Sequence, residues 1–180
     1  MRILKENTAG LIIDIQERLY PYIHEHEQLT RNTGILIKGL KAIDIPLLVT
    51  QQYTKGLGAT IPPVAEAVGE FEHLEKTAFS CCDDEGFNTE LIELDKKFIV
   101  ITGIEAHVCV LQTTIDLLEK NFIPVVVEDC ISSRRVNDKK VAVARMRREG
   151  AVVTTYESIL FELLRYSGTE QFKAVSKLVK

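Results

Sequence analysis

Short apolar runs alternate along this chain with longer segments whose apolar residues recur every three or four positions. The runs fall at residues 9–15 (AGLIIDI), 47–52, 71–77 (FEHLEKT), 98–102, 123–130 and 151–155. Several are unbroken and rich in Val and Ile, the pattern of strands covered on both faces of a parallel sheet. The periodic segments predict helices over 32–43, 62–68, 88–94, 108–118, 139–149, 157–165 and 169–179. Punctuation agrees with these limits: Pro46 follows the first helix, Pro62-Pro63 opens the second, Asn88 is the expected N-cap of the third, and Gly150 stops the fifth. Strand–helix alternation throughout predicts an α/β fold. Its expected form is a three-layer α/β/α sandwich around a six-stranded parallel sheet, in a single domain over 1–180. No internal repeat, low-complexity tract or linker interrupts it.

Composition narrows the class. The 180 residues are 46% hydrophobic and 27% charged, with a net charge of −4, which is ordinary globular usage. Lys and Arg gather at Arg134-Arg135 and from Lys139 to Arg148, but they form no basic stripe, so no nucleic acid partner is expected. No apolar run approaches the roughly 20 residues of a membrane span, and the first residues show no leader pattern. A cytoplasmic protein is expected, with no membrane partner. Its four cysteines, Cys81, Cys82, Cys109 and Cys130, include an adjacent pair and no CxxC, a poor basis for a disulfide framework or a zinc site. His24, His26 and His73 share no ligand spacing. No metal and no cofactor are expected.

Three chemically interesting residues stand at expected strand ends: Asp14, Lys76 and Cys109. In an open parallel sheet such ends share one edge, where ligands bind. Cys109 falls in the first turn of a helix, where unpaired N–H groups and the helix dipole are expected to lower a thiol pKa. Asp14 could take the thiol proton, and Lys76 could orient the acid. The plainer readings are a cap for Asp14, a solvated Lys76 and a core thiol for Cys109. His107 is two residues from Cys109, and residues two apart on a helix do not face each other. Cys81 and Cys82 are expected to pack, and Cys130 to be structural. The Gly56-x-Gly58 segment is too little for a phosphate fingerprint and reads as a flexible loop or lid beside a pocket. The first strand–helix turn, DIQER, lacks the glycines of a dinucleotide site.

Three motifs in order, LIIDIQ (11–16), EKTAFS (75–80) and GIEAHVCV (103–110), resemble the isochorismatase-like cysteine hydrolases, which include nicotinamidases and N-carbamoylsarcosine amidases. The match spans almost the whole chain. The resemblance implies an isochorismatase-like, Rossmann-like fold, with Asp14 as base, Lys76 as supporting cation and Cys109 as nucleophile. It also implies a cis peptide at Ile104–Glu105 that aims the backbone around Ala106 and the Cys109 N–H at an oxyanion. Nicotinamidases of this group bind a metal through Asp-x-His after the second strand, where this chain reads TQQYTK (50–55). Metal-independent chemistry on a substrate other than nicotinamide follows, with Gln16, Gln51, Tyr53 and Phe79 lining the pocket. A nucleophilic cysteine implies C–N (amide-type) cleavage of a small molecule through a thioester. The alternative is a catalytically weak member serving as a binding or assembly module. A homo-oligomer is expected either way, with the run Ile159, Leu160, Phe161, Leu163 and Leu164 as a candidate interface.

Overall fold

A computed structural model describes residues 1–180. The apolar runs form six strands: β1 (Thr8–Ile13), β2 (Leu47–Gln52), β3 (Leu74–Lys76), β4 (Phe98–Ile104), β5 (Ile123–Ser132) and β6 (Val152–Thr154). They make one sheet in the order β3-β2-β1-β4-β5-β6, with every pairing parallel. The chain winds outward from β1 in one direction and from β4 in the other. These two strands therefore flank the switch point, where crevices open at the carboxyl ends of such sheets. Both are buried along their whole length.

The helices are α1 (His26–Ala42), the single turn α2 (Thr54–Leu57), α3 (Pro62–Val68), α4 (Glu85–Glu93), α5 (Leu111–Glu119), α6 (Val136–Glu149), α7 (Tyr156–Leu164) and α8 (Glu170–Leu178). Strand parity divides the core between the two faces. Leu11, Ile13, Leu48, Ile99 and Ile101 pack against Phe87 and Leu91 of α4, Leu117 of α5 and Met146 of α6. Val100, Val125 and Val127 meet Leu36 and Leu40 of α1, Leu160 of α7 and Val175 of α8. Ile12 and Val49 meet Val64 and Ala67 of α3. The three-layer α/β/α arrangement expected from the alternation is present.

Several boundaries differ from the sequence reading, each for a local reason. Helix α1 begins six residues early, because its first turns are polar and carry no apolar period. Asp84, not Asn88, caps α4: its carboxylate accepts the Phe87 N–H at 2.9 Å, while the Asn88 amide donates to the Cys82 and Asp84 carbonyls from inside the helix. Strand β5 continues through Ile131 and Ser132 to pair with Gly103 and Ile104, where a loop was expected. The proposed α7 interface is mostly consumed internally. Ile159, Leu160 and Leu163 are buried, and Phe161 packs its ring on Phe172 with centroids 6.1 Å apart.

Gly103 sets how closely the two central strands approach at their ends. It pairs with Ile13, and its φ of +147° favours glycine. A Cβ there would lie 2.4 Å from the Ile13 carbonyl oxygen, a backbone atom that cannot swing aside. Gly103→Ala is expected to destabilise the fold by about 1–3 kcal/mol. Urea unfolding monitored by circular dichroism measures the change.

Candidate active site

The chain leaves β1 at Asp14, whose φ of +51° turns it out of the strand. Lys76 is the last residue of β3, and β2 lies between them. Parity explains how they meet. Lys76 pairs with Gln52, and Thr50 stands two residues before Gln52, so all three share the face covered by α5. The Lys76 Nζ donates to Asp14 Oδ2 at 2.6 Å, and both side chains are about 1% exposed. Its remaining protons go to the carbonyls of Ala78 at 3.0 Å and Phe79 at 3.2 Å. Asp14 Oδ1 accepts from the Thr50 hydroxyl at 2.7 Å. The pair is thus enclosed and hydrogen-bonded at every side, the condition under which buried charges are tolerated. A solvated lysine is ruled out.

Strand β4 ends at Ile104, and the Ile104–Glu105 peptide bond is cis. A wide helical turn, Ala106–Val110, follows and runs directly into α5. Cys109 lies in this turn, 4% exposed, so the helix starts two residues before the expected position. Ala106 is fully buried, and Glu105 is held by Arg134 at 2.8 Å. His107 points away from the thiol: its Nδ1 meets Ser133 Oγ at 2.9 Å, and its Nε2 faces Asp138.

The thiol departs from expectation in two ways. Burial pushes its pKa well above the ordinary value, and the Asp14 carboxylate pushes further the same way. Lys76 offsets only part of this. Desolvation therefore leads, and the site favours the neutral thiol at Cys109. The Sγ also donates to Gln52 Oε1 at 3.4 Å, with the Asp14 carboxylate close enough to share the thiol proton. Burial lowers the Lys76 pKa, but its acidic neighbours, the Asp14 carboxylate first among them, more than offset this and hold the pKa above its usual range.

The four expected pocket residues part company. Tyr53 and Phe79 are each 53% exposed beside the site. Gln16 is fully buried and clamps two elements, donating to the carbonyls of Gln52 at 3.0 Å and Gly58 at 2.7 Å and accepting the Gln52 N–H at 2.8 Å. Gln51 is buried too, bonded to the hydroxyls of Thr60 and Thr54. Both glutamines brace the 53–60 segment. That segment is also bonded along its backbone to residues 15–18, so it is a fastened shoulder and not a free lid. Sequence reasoning passed over Thr50 and Gln52. Their alternation with Gln51 was visible, but which face looks toward the site depends on the β2–β3 register. Cys81 is fully buried beside Thr50, and Cys82 is nearly so.

Among comparisons with known proteins, residues 8–158 match the family described as Isochorismatase domain. Isochorismatase family protein 1B of Dictyostelium discoideum is 36% identical, over 99% of this chain and 89% of its own. A solved structure described as the MAR1 ribonuclease of Caenorhabditis elegans is 37% identical, with a TM-score of 0.93 over 99% of this chain and 92% of that one. The YcaC product of Escherichia coli, described as an octameric hydrolase of unknown specificity, shares the fold at a TM-score of 0.93 and 22% identity, over 99% of this chain and 89% of that one.

The buried thiols make stability sensitive to alkali. Burial pushes Cys81 and Cys82 up to about 12 from an ordinary 9.0, and raises Cys109 and Cys130 as well. A raised folded pKa contributes stability that is complete below the unfolded value and lost as pH climbs toward the folded one. Stability should therefore fall from about pH 9 upward, by roughly 1.4 kcal/mol per pH unit for each thiol. Urea titrations across the alkaline range measure the slope, and Cys81→Ala should make it shallower. Lys76→Met strands the Asp14 carboxylate and should cost about 3–5 kcal/mol in the same measurement at neutral pH.

Proposed function

The chain belongs to the isochorismatase family of hydrolases, and on that premise we propose that it cleaves a C–N, amide-type bond of a small molecule through a thioester on Cys109. The observation that carries this reading is the Asp14 carboxylate, locked between Lys76 and Thr50 within hydrogen-bonding reach of the buried Cys109 thiol. A carboxylate so held is oriented to accept a proton, and the thiol is the group beside it that has one to give.

In the proposed cycle Asp14 takes the thiol proton as Sγ bonds to the carbonyl carbon. The carbonyl oxygen becomes an oxyanion. N–H groups around Ala106 and at Cys109, at the opening turn after Ile104–Glu105, are the donors aimed at it. Collapse breaks the C–N bond, and the leaving nitrogen takes the proton from Asp14. A water then gives its proton to Asp14 and attacks the thioester. The products are an acid, an amine or ammonia, and the restored thiol. Lys76 does not touch the substrate, because its three protons are already committed. It orients Asp14. Every step uses groups of the chain itself, so the reading is metal-independent. Tyr53 and Phe79 are the side chains placed to contact substrate, while Gln16 and Gln51 act by fixing the loop.

We further read the protein as a homo-oligomer in a reducing cytoplasm. All four cysteines are free, as a reducing compartment keeps them. A second reading rests on the C. elegans structure described as a ribonuclease. Against it, phosphodiester cleavage calls for cations aimed at the phosphoryl group, and the one buried lysine of the site is spent on Asp14.

The test is a panel of small amides, carbamoyl compounds and ureides, with RNA as a separate arm. Product release and acyl mass on Cys109 are measured. Cys109→Ala should abolish amide turnover, and Asp14→Asn should lower it by about 10²–10⁴-fold. Parent-rate amide hydrolysis by Cys109→Ala would falsify the thioester, and cleavage confined to the RNA arm would favour the second reading.

A further inference from the structure

The side chain of Gln52 is committed at both ends. Its Nε2 donates to the Thr77 carbonyl at 3.2 Å, an atom that only accepts. The orientation of the amide follows, and Oε1 is left facing the thiol, from which it accepts at 3.4 Å. The residue cannot easily drift. Its N–H and carbonyl are both bonded to the buried Gln16 side chain, and its strand is paired with Lys76.

Two consequences follow from an acceptor at that place. An amide oxygen suits a thiol and repels a thiolate, so Gln52 competes with Asp14 for the resting S–H. When the proton goes to Asp14, Oε1 loses its donor, and an acceptor left unpaired in this partly closed site costs free energy. A replacement donor brought by the substrate removes that cost. Esters and vinyl ethers bring none. A primary carboxamide or a ureido group brings N–H donors on the atom next to the carbonyl carbon that Sγ attacks.

We propose that Gln52 Oε1 accepts the N–H of a primary carboxamide or ureido substrate, which displaces the Cys109 thiol from Gln52 and leaves Asp14 as its only acceptor. Gln52 is then both a resting acceptor for the thiol and a selector for substrates with an N–H. This rests on the reading of Cys109 as nucleophile and Asp14 as base.

Acrylamide, N-methylacrylamide and N,N-dimethylacrylamide test it without knowledge of the natural substrate. In each, Cys109 Sγ bonds to the β-carbon, the carbon–carbon π bond breaks, and the thiol proton passes through Asp14 to the α-carbon. Nothing leaves, and no oxidant or reductant is involved. The rate of Cys109 alkylation is followed by mass spectrometry and divided by the rate of the same reagent with free cysteine. The parent protein should favour acrylamide over the dimethyl reagent by about tenfold, the worth of one hydrogen bond. N-methylacrylamide should fall between them. Gln52→Met should collapse the preference toward unity. A ratio near unity in the parent protein, or a preference that survives Gln52→Met, overturns the proposal. Asp14→Asn reports separately on the base. It should slow all three reagents and leave their ratio alone, and no slowing would remove the underlying reading whatever Gln52 does.

Discussion

The buried ion pair between Lys76 and Asp14 is the constraint around which the carboxyl edge of the sheet is built. Two charges at about 1% exposure survive only if each hydrogen-bonding position is filled. The filling draws on three separate stretches of chain. Thr50 supplies a hydroxyl from β2, the carbonyls of Ala78 and Phe79 fold back over the end of β3, and Ser80 and Cys81 tie that fold-back to Asp116 and Thr113 of α5. An apolar pair of similar volume would serve stability as well or better. Stability therefore supplies no reason for these charges. What they leave is a carboxylate fixed beside a thiol.

Topology brings the partners together with little freedom for error. Asp14 follows a strand buried on both sides, Cys109 follows its immediate neighbour, and Gly103 allows those two strands to close up at their ends. Lys76 comes from the edge of the sheet and must reach across β2. It can do so because β3 is only three residues long and ends level with Gln52. The 53–60 segment does similar work on the other side of β2. Gln16, Gln51 and the Thr54–Glu75 contacts fix it, and the Thr54 hydroxyl holds the Glu75 pKa below its usual range despite some opposing desolvation.

The layers, the six strands and the meeting of Asp14, Lys76 and Cys109 were all legible, because apolar period and strand-end position are local properties that tertiary packing here reinforces. What escaped was relational. The β2–β3 register decides that Gln52, not Gln51, looks at the thiol. The first turns of α1 bury Leu29 as their one apolar residue, so no period announces them. The capping role went to Asp84 because the chain entering α4 is extended there, leaving Asn88 inside the helix. The sign of the Cys109 shift was missed for the same reason. A helix dipole can be inferred from one segment, whereas desolvation is the summed effect of every element that closes over the sulfur.

That raised pKa bears directly on how such a site could work. A permanently ionised thiol would meet every small electrophile as a ready nucleophile. Here the sulfur is neutral, and it becomes nucleophilic only when its proton has a destination. In the proposed attack that destination is Asp14, so the negative charge is moved and not created. Before attack, the carboxylate carries it beside Lys76. Afterward, Asp14 is neutral and the substrate oxygen carries it among the N–H groups of the helix start. The total charge of the enclosure stays the same, with one cation and one anion throughout. A low-dielectric site that punishes a lone thiolate does not punish this exchange to the same degree, provided proton transfer and carbon–sulfur bonding advance together. Burial then raises the barrier to reaction with the wrong partner more than to reaction with one that fills the site.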